Sequence, residues 1–209
     1  IIVSFIIFDR GNYLVLAASL IGVTSLIYDA KGNPAGQVLM VMFSMLYGVI
    51  SYKFAYYGEM ATYLGMTAPM SVFALVSWLR NPHNGNKAEV EIARLKKAEI
   101  FNMVVLAVIV TVVFYFILRA FNTSNLVSST ASVTTSFLAV YMTYKRSPFF
   151  ALAYAANDII LIVLWTLAAL SDISYIPVIT CFVLFLINDI YTFINWTRMH
   201  KRQEISQTV

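Results

Sequence analysis

The chain has 209 residues, of which 60% are hydrophobic and only 11% are charged, with a mean hydropathy of +0.78. Soluble domains carry about a quarter of their residues as charged side chains, so this composition excludes an ordinary soluble protein and predicts an all-α membrane protein. The net charge of +4 comes from basic residues that gather in particular loops, which indicates membrane topology rather than binding of nucleic acid.

Apolar runs of about 20 residues, the length that crosses about 30 Å of hydrocarbon as a helix, occur seven times along the chain. Most separators are short and contain Gly, Asp or Ser. Only the stretch from Arg80 to Lys97 is a long polar loop, in which we expect a short amphipathic helix from about Lys87. The predicted transmembrane helices are 12–28, 34–54, 59–79, 98–118, 125–144, 148–170 and 174–197.

Basic residues are distributed unequally between the two sides of this arrangement. Eleven Lys and Arg fall on one side and three on the other. Because the loops are short, the side with eleven is predicted to be cytoplasmic, and it includes the C-terminus. The chain opens with "IIVSFIIF" and has no initiating Met, so we expect a further segment to precede it.

The first three predicted helices and the last three share a set of landmark residues. The separation from Pro to Trp is 44 residues in one set and 48 in the other. Three helices plus one connecting helix make an even number of crossings, so both sets enter the membrane from the same side. The shared Trp-x-Arg pattern has an alternative explanation, because any helix that ends at the membrane interface tends to finish with an aromatic anchor and a cation. The landmarks are Tyr28, Pro34, Trp78 and Arg80, matched by Tyr144, Pro148, Trp196 and Arg198.

This pattern predicts a 3+1+3 architecture of two parallel triple-helix-bundle repeats, which is the plan of SWEET-type transporters. The first three-helix repeat covers 12–79 and a cytoplasmic loop covers 80–97. The linker helix covers 98–119 and the second three-helix repeat covers 125–199.

Several stretches resemble the PnuC family of bacterial nicotinamide riboside transporters, from about Gly22 to Trp196. They read "GVTSLIYDAKGN", "MLYGVISYKFAYYGEM", "SWLRNP", "LAVYMTYKR", "NDIILIVLW" and "FLINDIYTFINW". The resemblance implies a multi-pass protein of the bacterial inner membrane that carries nicotinamide riboside, a vitamin B3 precursor, by facilitated diffusion and alternating access. Cytosolic phosphorylation would then trap the substrate.

The chain departs from the family at "SPFFALAYAAND", where many relatives have tryptophans. Because similar proteins carry other vitamins, thiamine or a (deoxy)nucleoside stays open as the substrate, with or without proton coupling. The expected partners are a small-molecule substrate and the lipid bilayer, and a homo-oligomer stays open.

Amide and carboxyl side chains lie at mid-depth in two of the apolar segments. Asn157 and Asp158 are near the middle of the sixth predicted helix, and Asn188 and Asp189 are near the middle of the seventh. Such groups cost several kcal/mol at the bilayer centre, so their presence predicts a substrate site. Asn195 lies seven residues beyond Asn188, on the same helix face. Bonds between neighbouring helices are the alternative role for the asparagines.

Polar and aromatic residues elsewhere can complete a site for a cationic pyridinium ring with a carboxamide and a ribose. Aromatic faces and a carboxylate suit the ring, and amides suit the carboxamide and hydroxyl groups. Trp78 and Trp196 are predicted to be anchors at the membrane interface rather than ligands. The predicted substrate-binding residues are Gln37, Ser44, Tyr47, Thr67, Asn157, Asp158, Trp165, Asn188, Asp189, Tyr191 and Asn195.

Other functional classes fit the sequence less well. A membrane enzyme could use paired carboxylates for acid-base catalysis, but it would need a nucleophile-base pair or a metal cluster. Cys181 is the single cysteine, and His83 and His200 lie in polar stretches at segment ends, so neither a metal site nor a cofactor is predicted. A retinal protein would need a lysine within the last span, where none occurs.

Overall fold

The computed structural model describes residues 2–8, 12–53, 56–123 and 125–207. These residues form an all-helical protein with one small β-hairpin. In chain order the elements are α1 (Ile2–Phe8), α2 (Tyr13–Ala30), α3 (Ala35–Lys53), α4 (Tyr57–Thr62), a π-helical turn (Tyr63–Thr67), α5 (Ala68–Arg80), β1 (Pro82–His83), β2 (Asn86–Val90), α6 (Lys97–Ala120), α7 (Leu126–Tyr144), α8 (Phe150–Ala169), a 3-10 turn (Ile173–Tyr175) and α9 (Ile176–Gln207).

Within the described residues, six helical segments are long and apolar enough to cross a membrane. They are Tyr13–Ala30, Ala35–Lys53, Tyr57–Arg80, Lys97–Ala120, Phe150–Ala169 and Ile173–Ser206. Helix α7 coincides with the fifth predicted span and has 19 residues, but eight of them are Ser or Thr, so it does not qualify by composition.

The polar loop between α5 and α6 differs from the prediction. The prediction of an amphipathic helix from about Lys87 is wrong, because strands β1 and β2 pair there as an antiparallel hairpin. Asn84 and Gly85 both have positive φ, at 48° and 76°, which is the geometry of a two-residue hairpin turn. The Asn-Gly pair is itself a hairpin signal. Helix α9 also continues ten residues past the predicted end at 197.

Six helical segments close into a ring. Helix α2 packs on α3, α3 on α5, α5 on α7, α7 on α8, α8 on α9, and α9 packs back on α2. Helix α6 lies outside this ring against α7, and only its Ala107 and Leu118 are buried. We call the side of the ring with the β-hairpin and the end of α9 the hairpin side, and the other the far side.

The turns after α2 and α7 have the same backbone geometry. Gly32 and Arg146 have φ of 65° and 60°. The N–H of Asn33 donates to the carbonyl of Tyr28 at 3.0 Å, and that of Ser147 donates to the carbonyl of Met142 at 3.0 Å. These bonds close the helix ends as Schellman-type caps. The paired positions are each 114 residues apart, as are Pro34 and Pro148.

The loop after the hairpin joins both turns. Val90 donates its N–H to the Gly32 carbonyl at 2.9 Å, and Ala93 donates to the Arg146 carbonyl at 3.0 Å. Gln203 of α9 holds the loop from the other side, because its Oε1 accepts from the N–H of Ile92 at 2.9 Å. We call this set of contacts the clasp.

Two tryptophans tie the ring together on the hairpin side. Trp78 Nε1 of α5 donates to the Thr143 carbonyl of α7 at 2.9 Å, and Trp196 Nε1 of α9 donates to the Asp29 carbonyl of α2 at 2.8 Å. Their rings lie 5.3 Å apart, and both side chains are 0% exposed. The prediction that they are interface anchors is therefore wrong, since an anchor would face the lipid headgroups.

The residue before each tryptophan also donates a hydrogen bond to the neighbouring helix. Its acceptor is the backbone carbonyl that comes next in the sequence after the acceptor of the tryptophan. Ser77 Oγ donates to the Tyr144 carbonyl at 2.9 Å, and Asn195 Nδ2 donates to the Ala30 carbonyl at 2.6 Å. In both cases a side chain of one helix donates to a carbonyl in the last turn of another helix, where the backbone carbonyls have no partner within their own helix.

Candidate functional site

A cavity of about 30 Å³ lies inside the ring, with room for one or two water molecules. Five of the six ring helices and the π-helical turn before α5 contribute to its wall, and no Lys, Arg or His is among the lining residues that the structure describes. The lining residues are Leu26, Met40, Phe43, Tyr63, Thr67, Ser136, Tyr154, Asn157, Asp158, Phe182, Phe185 and Asp189.

Two carboxyl groups face each other in the wall. Asp158 of α8 and Asp189 of α9 are 3% and 2% exposed, and their side chains interact across the helix contact. None of the ion pairs between described residues involves either aspartate. Asp158 Oδ2 also lacks a hydrogen-bond donor among these residues, so it is available to a ligand. The cavity is therefore acidic and without a counter-ion from the described chain.

Asn157 is held in place by hydroxyl groups of α7. The oxygens of Ser132, Thr135 and Ser136 lie 3.1, 3.0 and 3.1 Å from Asn157 Oδ1. The many Ser and Thr residues of α7 thus orient one amide at the cavity wall. With Oδ1 saturated by this cluster, the other end of the amide offers its N–H groups as donors.

Aromatic rings form the opposite part of the wall. Phe43 of α3 and Phe185 of α9 have ring centroids 5.6 Å apart, and Tyr63 lies edge-on to Phe43 at 5.9 Å. The π-helical turn Tyr63–Thr67 places both of its end residues in the wall. Such turns often occur at functional sites because the extra residue re-aims the side chains around it.

The structure brings four predicted site residues to the cavity, namely Thr67, Asn157, Asp158 and Asp189. Tyr47 and Trp165 are buried beside it, in the aromatic core towards the far side. Ser44 is 0% exposed on the same helix as Tyr47, and its Oγ has no partner among the described residues.

The other predicted residues lie elsewhere. Asn188 donates to the Leu26 carbonyl at 3.3 Å, and Asn195 bonds α2 as described above, so both asparagines join helices. Gln37 Nε2 donates to Asp29 Oδ1 at 2.8 Å on the hairpin side. Tyr191 is 57% exposed on the outside of the ring and does not reach the cavity.

Sequence reasoning missed several buried polar residues. Asp29 and Glu59 are each 3% exposed, although both stand near predicted helix ends where a charge is expected to meet water. Tyr63 and Tyr154 line the cavity but occur among many other tyrosines. The close approach of the Asp29 carboxyl group to Gly36, where a Cβ would collide with it, is visible only in the structure.

Aromatic layers close the cavity at both ends. On the hairpin side, Trp196 contacts Trp78 and lies 4.8 Å from Phe150. On the far side, the ring of Trp165 lies 4.7 Å from Tyr56 and 5.4 Å from Tyr175. Aromatic side chains thus pack on both sides of the cavity in this structure. A small cationic aromatic molecule would fit the chemistry of the wall once the helices move apart, because carboxylates and ring faces both attract cations.

Comparison with known proteins gives three matches. The family model described as "Nicotinamide mononucleotide transporter" matches residues 12–198. A nicotinamide riboside transporter PnuC of Neisseria mucosa is 26% identical over 201 residues, which covers 94% of this chain and 76% of the relative. The crystal structure of the vitamin B3 transporter PnuC superposes with a TM-score of 0.82 at 24% identity, covering 96% of this chain and 87% of that one.

Proposed function

The chain belongs to the nicotinamide mononucleotide transporter family of multi-pass membrane proteins, and on that premise we propose that it carries nicotinamide riboside across the bacterial inner membrane. The observation that supports this substrate is the buried Asp158–Asp189 pair, which faces aromatic rings across the cavity. Among the described residues that line this cavity, none is Lys, Arg or His. Membership of a transporter family argues against the membrane-enzyme alternative.

The charge of the pair fits one pyridinium ring. Two carboxyl groups in contact repel each other when both are ionised, so they are stable when they share one proton. The pair then carries one negative charge, which balances the single positive charge of the nicotinamide ring. Phe43, Phe185 and Tyr63 add ring faces that stabilise the same cation.

The same chemistry favours the riboside over the mononucleotide. A phosphate group would bring negative charge into a wall that holds two carboxyl groups. Phosphate sites in proteins use Arg, Lys or helix N-termini, and the described part of this wall has no basic residue. Asn157 and Thr67 offer polar contacts for the carboxamide or ribose, so the neutral sugar fits where a phosphate would not.

We infer that transport proceeds by alternating access between two three-helix repeats, 13–80 and 126–207, with α6 as the linker. The matched turns at Gly32 and Arg146 and the reciprocal bonds of Trp78 and Trp196 support this 3+1+3 plan. Helix α7 is then also a span and brings the total from six to seven, because two three-helix repeats and one linker require seven crossings. The hairpin side, with most basic residues, is cytoplasmic. The 30 Å³ cavity must widen to admit the substrate.

Binding calorimetry on the detergent-purified protein tests the substrate. Nicotinamide riboside, thiamine and a neutral nucleoside are titrated in parallel, with nicotinamide mononucleotide as the charge control. Saturable binding of the riboside with none of the mononucleotide is the expected result. A silent riboside titration beside binding of thiamine or the nucleoside would overturn the substrate and leave the architecture in place.

The mode of transport is tested in proteoliposomes that enclose a kinase able to phosphorylate the riboside. We propose facilitated diffusion, so uptake should follow the substrate gradient, and the enclosed kinase should raise total accumulation. A pH gradient imposed in either direction should leave the initial rate unchanged. An initial rate that follows the proton gradient would instead show proton coupling through the buried carboxyl groups.

A further inference from the structure

The far-side layer contains a buried acid that the central cavity does not use. Glu59 lies in the first turn of α4 and is 3% exposed. Its Oε2 has no hydrogen-bond partner among the described residues, and none of the ion pairs between these residues includes it. An isolated buried carboxyl group is costly, so a ligand or ion that pairs with it at some stage of transport would offset that cost.

Aromatic residues flank this acid along its own helical segment. Tyr56 precedes Glu59 by three residues and Tyr63 follows it by four, which places both side chains on the same helix face as the carboxyl group. Tyr56 lies 4.7 Å from Trp165, and Tyr47 lies 4.4 Å from Tyr63. Several ring faces next to one carboxyl group are the arrangement that proteins use to recognise organic cations.

The aromatic side chains of this group become less exposed to solvent from the far-side surface inwards. Tyr56 and Tyr175, whose rings lie 6.1 Å apart, are partly exposed, whereas Trp165 behind them is 0% exposed. Trp165 follows Asp158 by seven residues on α8, which separates them by about 10 Å along the helix axis. A single pyridinium ring cannot contact both levels at once, so this group is distinct from the central cavity.

We propose that Glu59, Tyr56, Trp165 and Tyr175 form a second recognition site for the aromatic cation, at the outer mouth of the transport path. This inference rests on the proposed function and adds a place where the positively charged ring is selected before it reaches Asp158 and Asp189. The ring sits against Tyr56 and Trp165, and the Glu59 carboxylate supplies the opposite charge. Opening of the far side then passes the cation inwards.

The test compares uptake with equilibrium binding in Glu59→Gln, which keeps the shape and removes the charge. Uptake of nicotinamide riboside from outside should show a KM raised by about 5- to 10-fold, with the maximal rate within about 2-fold of the wild type. Calorimetric affinity at the central cavity should stay within about 2-fold.

Variants of Tyr56 test the site independently of the folding of Glu59→Gln. Tyr56→Phe keeps the ring face and should retain the wild-type KM, while Tyr56→Leu should raise it as Glu59→Gln does. Equal KM values for the wild type, Glu59→Gln and Tyr56→Leu would overturn the second site alone. A wild type that neither binds nor takes up nicotinamide riboside would overturn both this site and the proposed function.

Discussion

The two halves of the ring, 13–80 and 126–207, share their backbone devices but line the cavity with different chemistry. Three pairs of residues that line the cavity stand at corresponding positions in the two halves. Corresponding positions are 114 residues apart before the third helix of each half and 118 residues apart within it. One member of each pair is apolar where the other is polar. The pairs are Met40 and Tyr154, Phe43 and Asn157, and Phe185 and Thr67.

The carboxyl groups sharpen this contrast. By the same offsets, Asp158 corresponds to Ser44 and Asp189 corresponds to Ser71. Both serines are buried, at 0% and 2% exposure, so the first half holds neutral hydroxyls where the second half holds acids. A substrate with one charged ring and one sugar has no two-fold symmetry. Similar scaffolds with unlike linings can therefore hold it in one orientation.

The largest expected effect comes from neutralising the acids of the second half. The double variant Asp158→Asn/Asp189→Asn keeps the size of both side chains but removes the single negative charge that the pair is proposed to place against the pyridinium. We expect affinity for nicotinamide riboside to fall by about 10- to 100-fold, because a charged group usually contributes about 1.5–3 kcal/mol to a buried contact. Calorimetry on the purified variant measures this loss.

The corresponding serines are the matched control. Ser44→Ala and Ser71→Ala should change affinity by less than about 5-fold, since a neutral hydroxyl contributes about 1 kcal/mol or less. Thermal unfolding of the aspartate and serine variants checks that the fold is intact. Equal losses from the serine and the aspartate variants would show that the cavity treats both halves alike and would remove the acidic pair from the proposed site.

Hydrophobic periodicity and hydropathy are enough to predict most of the helices. Helices α2, α3, α7 and α8 begin and end within two residues of their predicted limits, because about 20 apolar residues between polar breaks allow little else in a bilayer. The hairpin was missed because the alternating charges of "NKAEVEIARLKK" suit a short helix, while the turn geometry of Asn84 and Gly85 decides the pairing. The length of α9 depends on Gln203, whose partners come from a distant loop.

The sequence predicts the depth of the site residues in the membrane but not the direction in which each side chain points. Hydropathy shows that Asn188 and Asp189 share a level in the membrane, but adjacent residues on a helix point about 100° apart, and only the packing of α9 sends Asp189 inwards. Tyr191 was placed in the site for its ring alone, and the structure turns it outwards. Asp29 and Glu59 are near predicted helix ends, where their burial depends on neighbouring helices rather than on local sequence.

Gly22 offers a steric way to test the contrast between the halves. A Cβ at this position would lie 2.7 Å from the Phe185 ring and 2.9 Å from the Phe43 ring, so Gly22→Ala must push these side chains towards the cavity. We expect affinity for the riboside to fall by about 5- to 20-fold, with about 1–2 kcal/mol of lost stability from overpacking. Calorimetry and thermal unfolding measure the two effects.

Gly65→Ala is the control for Gly22→Ala, because nothing lies within 4 Å of a Cβ at Gly65. The residue corresponding to Gly22 in the second half is Ser136, which already carries a side chain and holds Asn157. Full affinity in Gly22→Ala would mean that the two phenylalanine rings do not contact the substrate.

The tryptophans test the part of the ring where the halves are alike. Trp78→Phe and Trp196→Phe each remove one indole N–H from a buried helix-end carbonyl. Each change should cost about 1–2 kcal/mol, and the two losses should agree within about 0.5 kcal/mol because the bonds are reciprocal. Thermal unfolding in detergent measures them. A loss confined to one variant would argue that the repeats do not share this support.

The smallest expected effect is the pH dependence of the clasp, which contacts both halves through Gly32 and Arg146. Burial raises the pKa of Glu89, but bonds from Gln203 and Arg202 outweigh it, so the pKa lies below the ordinary 4.5. A lowered pKa in the folded state means that the stabilising contribution is complete above about pH 4.5 and is lost as the pH falls further.

The difference in melting temperature between the wild type and Glu89→Gln should therefore be constant from pH 7 to pH 5 and shrink towards pH 3. We expect a difference of only about 1–3 °C, because Glu89 and Arg202 are partly open to solvent, which screens their attraction. Glu89 belongs to strand β2 and accepts hydrogen bonds from Arg202 and Gln203 of α9, so protonating it first loosens the contact of the hairpin with the second half. A difference that persists at pH 3 would assign the contribution of Glu89 to shape rather than charge, and the clasp would then hold both halves by its backbone bonds alone.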